Sequence, residues 1–517
     1  MSGASGAEPP APPTATDPDA PPGETAGAIA RGGFWAFGGL VLGAALQFGY
    51  NVALARIYGA NATGIFAFVL SLTTVAAIIS QLGARETLLR YVSAYRATDD
   101  TGLLRGVVLY ATGLGLAGSL AAGALLAWAA PAVADLADKP EVTWALGLLA
   151  WTVPFIAGTK ATASALQATR RIQLYALLHD VGRPLSIVIG IGIAFGLGLR
   201  FETFLGLYLA AAAIVFTVGL WLMTRHLPVA SGPPPAFRPR VWLRFSLAVM
   251  FLDAFRSTGG WMDTLVLGFF VDADEVGIYF AALRTALLIT LALSAFNTIL
   301  SPMAAEAWGR SDRAALARVF TVSTRWTCAV VIPVAVATIL LRHELMSAFG
   351  DDFVTPTSGL VLLIILLGRF VNGLTGGVGR MLIMTGHERV ELADTILSIT
   401  LLLGGMLFAV PRFGLVGAAV VNAGVIAFIN VLKLVQVRLY IGIQPYDASY
   451  LKLLAAGSVA AVAGYVLLGA VGAWPPLVRL VVVAPAVAAA YLATLAPLGL
   501  EAEDRAVLAG VRRRLGL

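Results

Sequence analysis

Apolar residues in this chain run in about fourteen blocks separated by short polar turns. Each block holds roughly 20 residues, enough for a helix that crosses a bilayer. The blocks fall at 33–56, 63–84, 105–130, 143–168, 173–197, 203–224, 242–270, 276–303, 319–341, 357–384, 391–410, 414–437, 451–470 and 475–499. Basic residues alternate from turn to turn. One set of turns carries clusters such as Arg85, Arg90, Arg96 and Arg105, or Arg225, Arg238, Arg240 and Arg244; the other holds only Arg56, Lys139, Arg200, Arg342 and Arg412. Cytoplasmic loops are enriched in Lys and Arg, so both termini are expected in the cytoplasm, which requires an even number of crossings. The opposite turns are short and acidic, as at Asp272, Asp274 and Glu275.

Composition excludes a soluble enzyme or a nucleic-acid binder. Of 517 residues, 59% are hydrophobic and 12% charged, with a mean hydropathy of +0.85, whereas soluble domains carry about a quarter charged residues. The single cysteine, Cys328, lies in an apolar block and reads as a packing residue. Residues 1–30 are proline-rich and acidic, with Glu8, Asp17, Asp19 and Glu24 and no basic residue before Arg31. That pattern predicts a disordered cytoplasmic tail rather than a secretory signal. Residues 501–517 read as a basic cytoplasmic tail.

The blocks repeat. Gly59-Ala60-Asn61-Ala62-Thr63-Gly64-Ile65-Phe66 opens the second block, and Asp272-Ala273-Asp274-Glu275-Val276-Gly277-Ile278-Tyr279 opens the eighth, about 213 positions later. Ala60 aligns with Ala273, Gly64 with Gly277, Ile65 with Ile278 and Phe66 with Tyr279. Six crossings separate the copies, so they share one orientation and form a parallel repeat, related by an axis along the membrane normal. The expected architecture is all-α and polytopic: an N-lobe at 31–225, a cytoplasmic linker at 226–241, a C-lobe at 242–440 and two added crossings at 441–500.

Several charges fall inside the blocks: Lys160, Arg183, Arg256, Arg284 and Arg369. Cations are strongly disfavoured against lipid, so these are expected to face a bundle interior or water-filled cavity and to hold an anion. In the seventh block Asp253, Arg256, Gly260 and Asp263 share one ~80° arc of a continuous helix. Arg256 reads equally as a phosphate ligand tuned or gated by the aspartates, or as the i,i+3 partner of Asp253. Arg369, Asn372, Gly376 and Arg380 share an arc of the tenth block. Arg369 and Arg284 have no acid on their own helix; Lys160 has none either, though it could reach one on a neighbour. Asp180 and Arg183, just before Pro184, read first as an i,i+3 pair beside a kink. Asp253, Asp263 and Asp180 are the candidates for gating or ion coupling. His179 is a packed histidine or a proton carrier, and Arg479 is expected to snorkel. Gln47, Asn51, Asn297, Asn372 and Asn422 could serve sugars, or more simply bond between helices. There is no metal-ligand spacing, no nucleophile–base pair and no ATP-binding motif. No cofactor is therefore expected, and energy would come from a proton or sodium gradient, the membrane potential or substrate concentration.

The Gly-Ile-Phe-Ala-Phe opening of the second block, Gly83-Ala84-Arg85-Glu86-Thr87-Leu88-Leu89-Arg90-Tyr91-Val92, Phe413-Gly414-Leu415-Val416-Gly417-Ala418-Ala419 and the fourteen-block layout together resemble one group. It is the polysaccharide-transporter flippases of the multidrug/oligosaccharidyl-lipid/polysaccharide exporter superfamily. The resemblance implies two six-helix lobes in a V and alternating access. It implies movement of an undecaprenyl-diphosphate-linked oligosaccharide from the inner to the outer leaflet of a bacterial inner membrane, with membrane lipids, a polymerase and glycosyltransferases as partners. It favours Arg284 as a cavity arginine and gives the last two crossings a lipid-tail groove. Two competitors stand beside it: an ion-coupled exporter of the multidrug and toxin extrusion type, which prefers twelve crossings and acidic cavities, and a membrane-embedded glycan polymerase or ligase, which needs a large outer loop absent here.

Overall fold

The computed structural model describes residues 22–228 and 232–497, with backbone alone for 22–37, 251–252, 255–256 and 299. Among the described residues all regular structure is helical, the form that satisfies every backbone group internally in lipid. In the first half the helices are α1 (Pro22–Ser80), α2 (Ala84–Ala97), α3 (Thr101–Ala137), α4 (Glu141–Leu149), α5 (Thr152–Ala168), α6 (Ile172–Ala176), α7 (Arg183–Gly196) and α8 (Phe201–His226). In the second they are α9 (Pro239–Thr258), α10 (Met262–Phe270), α11 (Ala273–Leu287), α12 (Thr290–Gly309), α13 (Arg313–Leu340), α14 (Arg342–Ser347), α15 (Ser358–Thr375), α16 (Val378–Met384) and α17 (Glu388–Tyr440). The chain closes with α18 (Ser449–Ala470) and α19 (Pro476–Leu495). Of the segment read as an N-terminal tail, 1–21 lies outside the described residues and Pro22 onward is continuous with α1. The basic tail at 501–517 lies outside them too.

Among the described residues ten helical runs are long and apolar enough to cross a bilayer, or eleven if the bent pair Ala273–Leu287 and Thr290–Thr298 is one crossing. This is a tally of runs rather than of crossings, and it does not confirm the fourteen expected. Two of the ten, Gly38–Ser80 and Glu388–Tyr440, run for 43 and 53 residues, about twice a single hydrocarbon core at ~1.5 Å per residue. Each is broken by a glycine outside helical space, Gly59 at φ 80° and Gly414 at φ 54°. Glycine takes such angles without the Cβ clash that other residues suffer. The seventh block is divided between α9 and α10.

The helices α1–α8 pack chiefly on one another, α11–α17 likewise, and α18 and α19 pair and lean on α13. One element crosses over. α9, the start of the second half, lies against α1, α2 and α3, where Thr87 and Ser246 hydroxyls meet at 2.6 Å and the Trp242 indole donates to the Tyr95 hydroxyl at 3.0 Å.

Elsewhere the halves meet mainly through α1 with α10 and α11, and the repeated segments are what touch. A Cβ on Gly64 would stand 1.7 Å from the Ala273 carbonyl oxygen; one on Gly277 would stand 2.3 Å from that of Ala60. The contact is reciprocal between aligned residues, the geometry a two-fold axis between two copies produces. Around it the Lys139 ammonium donates to the Gly268 carbonyl at 2.8 Å, Arg56 donates to the Ala348 carbonyl at 2.7 Å, and Phe48 meets Phe349 edge-on at 5.7 Å. This closed end is the one poor in basic turns. At the same end Arg479 does not snorkel: it pairs with Glu344 at 2.8 Å, fastening α19 to α14.

Candidate substrate cavity

A cavity of about 270 Å³ lies between α1, α7 and the starts of α10 and α12, lined among others by Gln47, Tyr50, His179, Asp180, Arg183 and Trp261. Its wall owes its shape to a π-helical turn, Leu177–Gly182, between α6 and α7. Pro184 follows the turn and has no N–H to offer the carbonyl four residues back, that of Asp180. That carbonyl faces α1 instead. Gly43 approaches it so closely that a Cβ would stand 2.2 Å away, and Gly39 one turn earlier lies against Ala176. The small-residue spacing Gly39-x-x-x-Gly43 permits this backbone contact. π-turns of this kind are frequent at functional sites.

The turn breaks the expected Asp180–Arg183 pair. Asp180 holds the His179 Nδ1 at 2.8 Å, while the Arg183 guanidinium donates to the Tyr208 hydroxyl and lies over its ring. Arg183 also borders a second, smaller cavity of about 60 Å³, together with Lys160 and His179. The Lys160 ammonium makes no hydrogen bond or ion pair among the described residues and lies within electrostatic reach of Arg183, Asp253 and Arg85.

Arg284 is held between two aromatic rings, its Cζ 4.6 Å from the Trp261 centroid and 4.5 Å from that of Phe280, a cation–π arrangement. Its Nε is buried without a hydrogen-bond partner. Through Trp261 it adjoins the larger cavity, in electrostatic reach of Arg183 and Arg369. Arg369 is on α15; its Nε is likewise buried and unpartnered, and it lines neither of these cavities. The shared arcs read from the sequence do not survive. α9 ends at Thr258 and α10 begins at Met262, so Asp253 and Asp263 sit on different helices. α15 ends where Gly376 turns to φ 68°, placing Arg380 on α16 and exposing it.

The carboxylates are mostly engaged elsewhere. Asp253 pairs with Arg85 at 3.7 Å and accepts from Ser257 at 3.2 Å. Asp263 is buried and accepts from the Thr264 N–H at 2.7 Å, Asn422 Nδ2 at 3.0 Å and the Tyr279 hydroxyl at 3.2 Å. It is a knot joining α10, α11 and α17 and has Arg369 and Arg284 in electrostatic reach. The side chain of Arg256 lies outside the described residues. Of the amides, Gln47 faces the larger cavity and Asn422 bonds between helices as in the simpler reading. Sequence reasoning passed over Trp261, Phe280 and Tyr208, the aromatic seats of the arginines, and Tyr50 in the cavity wall, because an aromatic in an apolar block carries no distinguishing signal.

The arrangement can hold an anion. Guanidinium groups with free N–H donors replace the hydration a phosphate loses on leaving water, and their planar fork matches its oxygens. Among the described residues Asp180 is the one carboxylate that lines either cavity.

The sequence pattern of the polysaccharide biosynthesis protein family matches residues 29–308, and that of the MatE family matches residues 249–409. Two curated relatives come from Haloferax volcanii. The probable flippase AglR is 23% identical over 74% of this chain and 80% of its own length. The probable low-salt glycan biosynthesis flippase Agl15 is 27% identical over 32% of this chain, an alignment spanning only 34% of Agl15. Among solved structures, the lipid II flippase MurJ in an inward closed conformation superposes with a TM-score of 0.68 at 14% identity, covering 88% of this chain and 98% of that one. An inward-facing multidrug resistance MATE family transporter of the MOP superfamily gives 0.63 at 14% identity, over 77% and 94%. At such identities the structural likeness speaks for the fold.

Proposed function

The chain belongs to the polysaccharide biosynthesis protein family, and from that premise we propose that it is a flippase for an undecaprenyl-diphosphate-linked oligosaccharide. It carries this lipid from the inner to the outer leaflet of a bacterial inner membrane, with both termini cytoplasmic. Two lobes, 31–225 and 242–440, rock so that the reciprocal Gly64–Gly277 contact closes in one state and parts in the other, exposing the cavity alternately to each side. A polymerase and glycosyltransferases act on the same lipid before and after it crosses. The chain catalyses no covalent step.

One observation carries this reading. Lys160 and Arg183 border the cavities and Arg284 stands behind the Trp261 wall of the larger one, each on a different helix, and no carboxylate forms an ion pair with any of them among the described residues. Such a set recognises a diphosphate and repels a cationic drug. The MatE match favours a multidrug exporter as the second reading, and deletion separates the two. Accumulation of lipid-linked glycan in the inner leaflet supports the flippase, whereas intact glycan export with raised sensitivity to cationic drugs supports the exporter. In the flippase, Arg183→Gln and Arg284→Gln abolish export at unchanged membrane abundance. Normal export in both removes the cavity from the mechanism.

A further inference from the structure

The phosphate reading of the cavity, on which this inference rests, leaves one acid–base pair unused. His179 sits at the edge of both cavities, its Nδ1 held by Asp180 at 2.8 Å and its ring stacked on Tyr175 at 5.1 Å and 10°. A carboxylate on Nδ1 keeps the proton of the neutral imidazole there and leaves the lone pair on Nε2. Nε2 has no hydrogen-bond partner among the described residues. The ring is therefore fixed in place and tautomer, with a vacant basic nitrogen beside the proposed phosphate site. We propose that His179 is a proton-binding site linked to the cargo: a proton on Nε2 and a diphosphate in the cavity favour one another.

The charges around the ring decide the sign. From α5 comes Lys160, from α7 Arg183, and from α2 Arg85 and Glu86, which share the electrostatic surroundings of Tyr175. From α9 comes Asp253, already paired with Arg85. Tyr175, Tyr208 and Tyr50 are the remaining titratable neighbours on α6, α8 and α1. In the empty cavity the ring stands among the Lys160 and Arg183 cations and the Asp180 carboxylate. A bound diphosphate adds two negative charges beside Nε2, and these favour a proton there. Loading then takes up a proton from water to form the Nε2–H bond, and unloading returns it. Arginine never gives up its proton in this range and cannot act so, whereas imidazole exchanges its charge between about pH 5 and 8. Coupling of this kind is reciprocal: whatever factor the proton adds to cargo affinity, the cargo adds to proton affinity.

The test uses the purified full chain and a sugar–diphosphate–farnesyl diester, whose phosphates stay ionised from pH 5.5 to 8.5 so that the probe itself does not titrate. Calorimetry in buffers of different ionisation heat is expected to show proton uptake on binding near pH 7. Affinity is expected to rise about five- to tenfold from pH 8 to pH 6. His179→Gln keeps a donor toward Asp180 but cannot charge, so its affinity should rise less from pH 8 to pH 6 than that of the wild type, any remaining rise belonging to the Lys160 ammonium in the same cavity. His179→Asn serves as a second neutral replacement should the first fold poorly. A pH profile in either folded variant that follows the wild type overturns the inference. Wild-type binding that is flat with pH, yet lost in Arg183→Gln, defeats the proton linkage alone. No binding of the probe at any pH defeats the phosphate reading and the linkage together.

Discussion

Adding one methyl group to Gly64 gives a sharp test of alternating access. Its Cβ would stand 1.7 Å from the Ala273 carbonyl oxygen, about 1.5 Å inside ordinary carbon–oxygen contact. Both sides are helix backbone, so no side chain can rotate away and α1 and α11 must part. Overpacking of this kind costs ~1–3 kcal/mol, and the cost falls only on the state in which the helices touch. At 1.4 kcal/mol per tenfold, Gly64→Ala should shift the population about 5- to 150-fold toward conformers parted at this end. Gly277→Ala acts in the same direction with less force, its clash being 2.3 Å from Ala60. The two together should give less than the sum, because they relieve one shared contact. The readout is labelling of Gln47→Cys, a cavity residue, by an impermeant thiol reagent added outside. The background carries Cys328→Ala, which removes the sole native thiol. Faster labelling at unchanged membrane abundance is expected. Labelling equal to that of the parent in both glycine variants would refute the claim that this contact closes the cavity.

Two further perturbations act at the same end of the molecule. Glu344 is buried and carries the ion pair that fastens α19, with side-chain exposures of 24% for Arg479 and 6% for Glu344; the half-open partner moderates the loss, so Glu344→Gln should cost ~1–3 kcal/mol. A lowered unfolding temperature in detergent checks this, and an unchanged one rejects the pair as an anchor. Burial pulls the Lys139 ammonium below the ordinary lysine range, with Asp272 and Asp138 pulling the other way. The closed end therefore binds that proton less firmly than an open end with Lys139 in water. Between the lowered closed value and the ordinary one near 10.4, the open form holds more protons, so closure gains as pH rises and is lost as pH falls. Labelling of the cavity reporter, divided by its rate in Lys139→Met at the same pH so that the thiol's own ionisation cancels, should fall as pH rises through that window. A ratio that stays flat with pH rejects Lys139 as the group.

What the sequence revealed and what it hid divide along a physical line. Bilayer thickness acts on each segment locally, so the all-helical membrane fold and the Gly64/Gly277 repeat were readable from neighbouring residues. Partner choice inside the bundle is not local. Asp180 beside Arg183 satisfied the i,i+3 rule, yet a π-turn sent one to His179 and the other to Tyr208. Asp263 shared an arc with Asp253 only while the seventh block was taken as one helix, and it bonds Asn422, 159 positions away. Arg479 looked interfacial because Glu344 is on a distant helix. In lipid a cation without an acid on its own helix is sometimes neutralised by a neighbouring one, as Arg479 is by Glu344, so local isolation alone does not mark a binding site. Lys160 and Arg183 pass the stricter criterion, since they border cavities and form no ion pair among the described residues. Arg284 meets it through its aromatic seat, while Arg369, buried near Asp263, meets only the weaker one. The Gly39-x-x-x-Gly43 spacing and Pro184 were both present in the sequence. Taken together they could have placed α1 against a broken fifth block, and with it the cavity wall that carries His179.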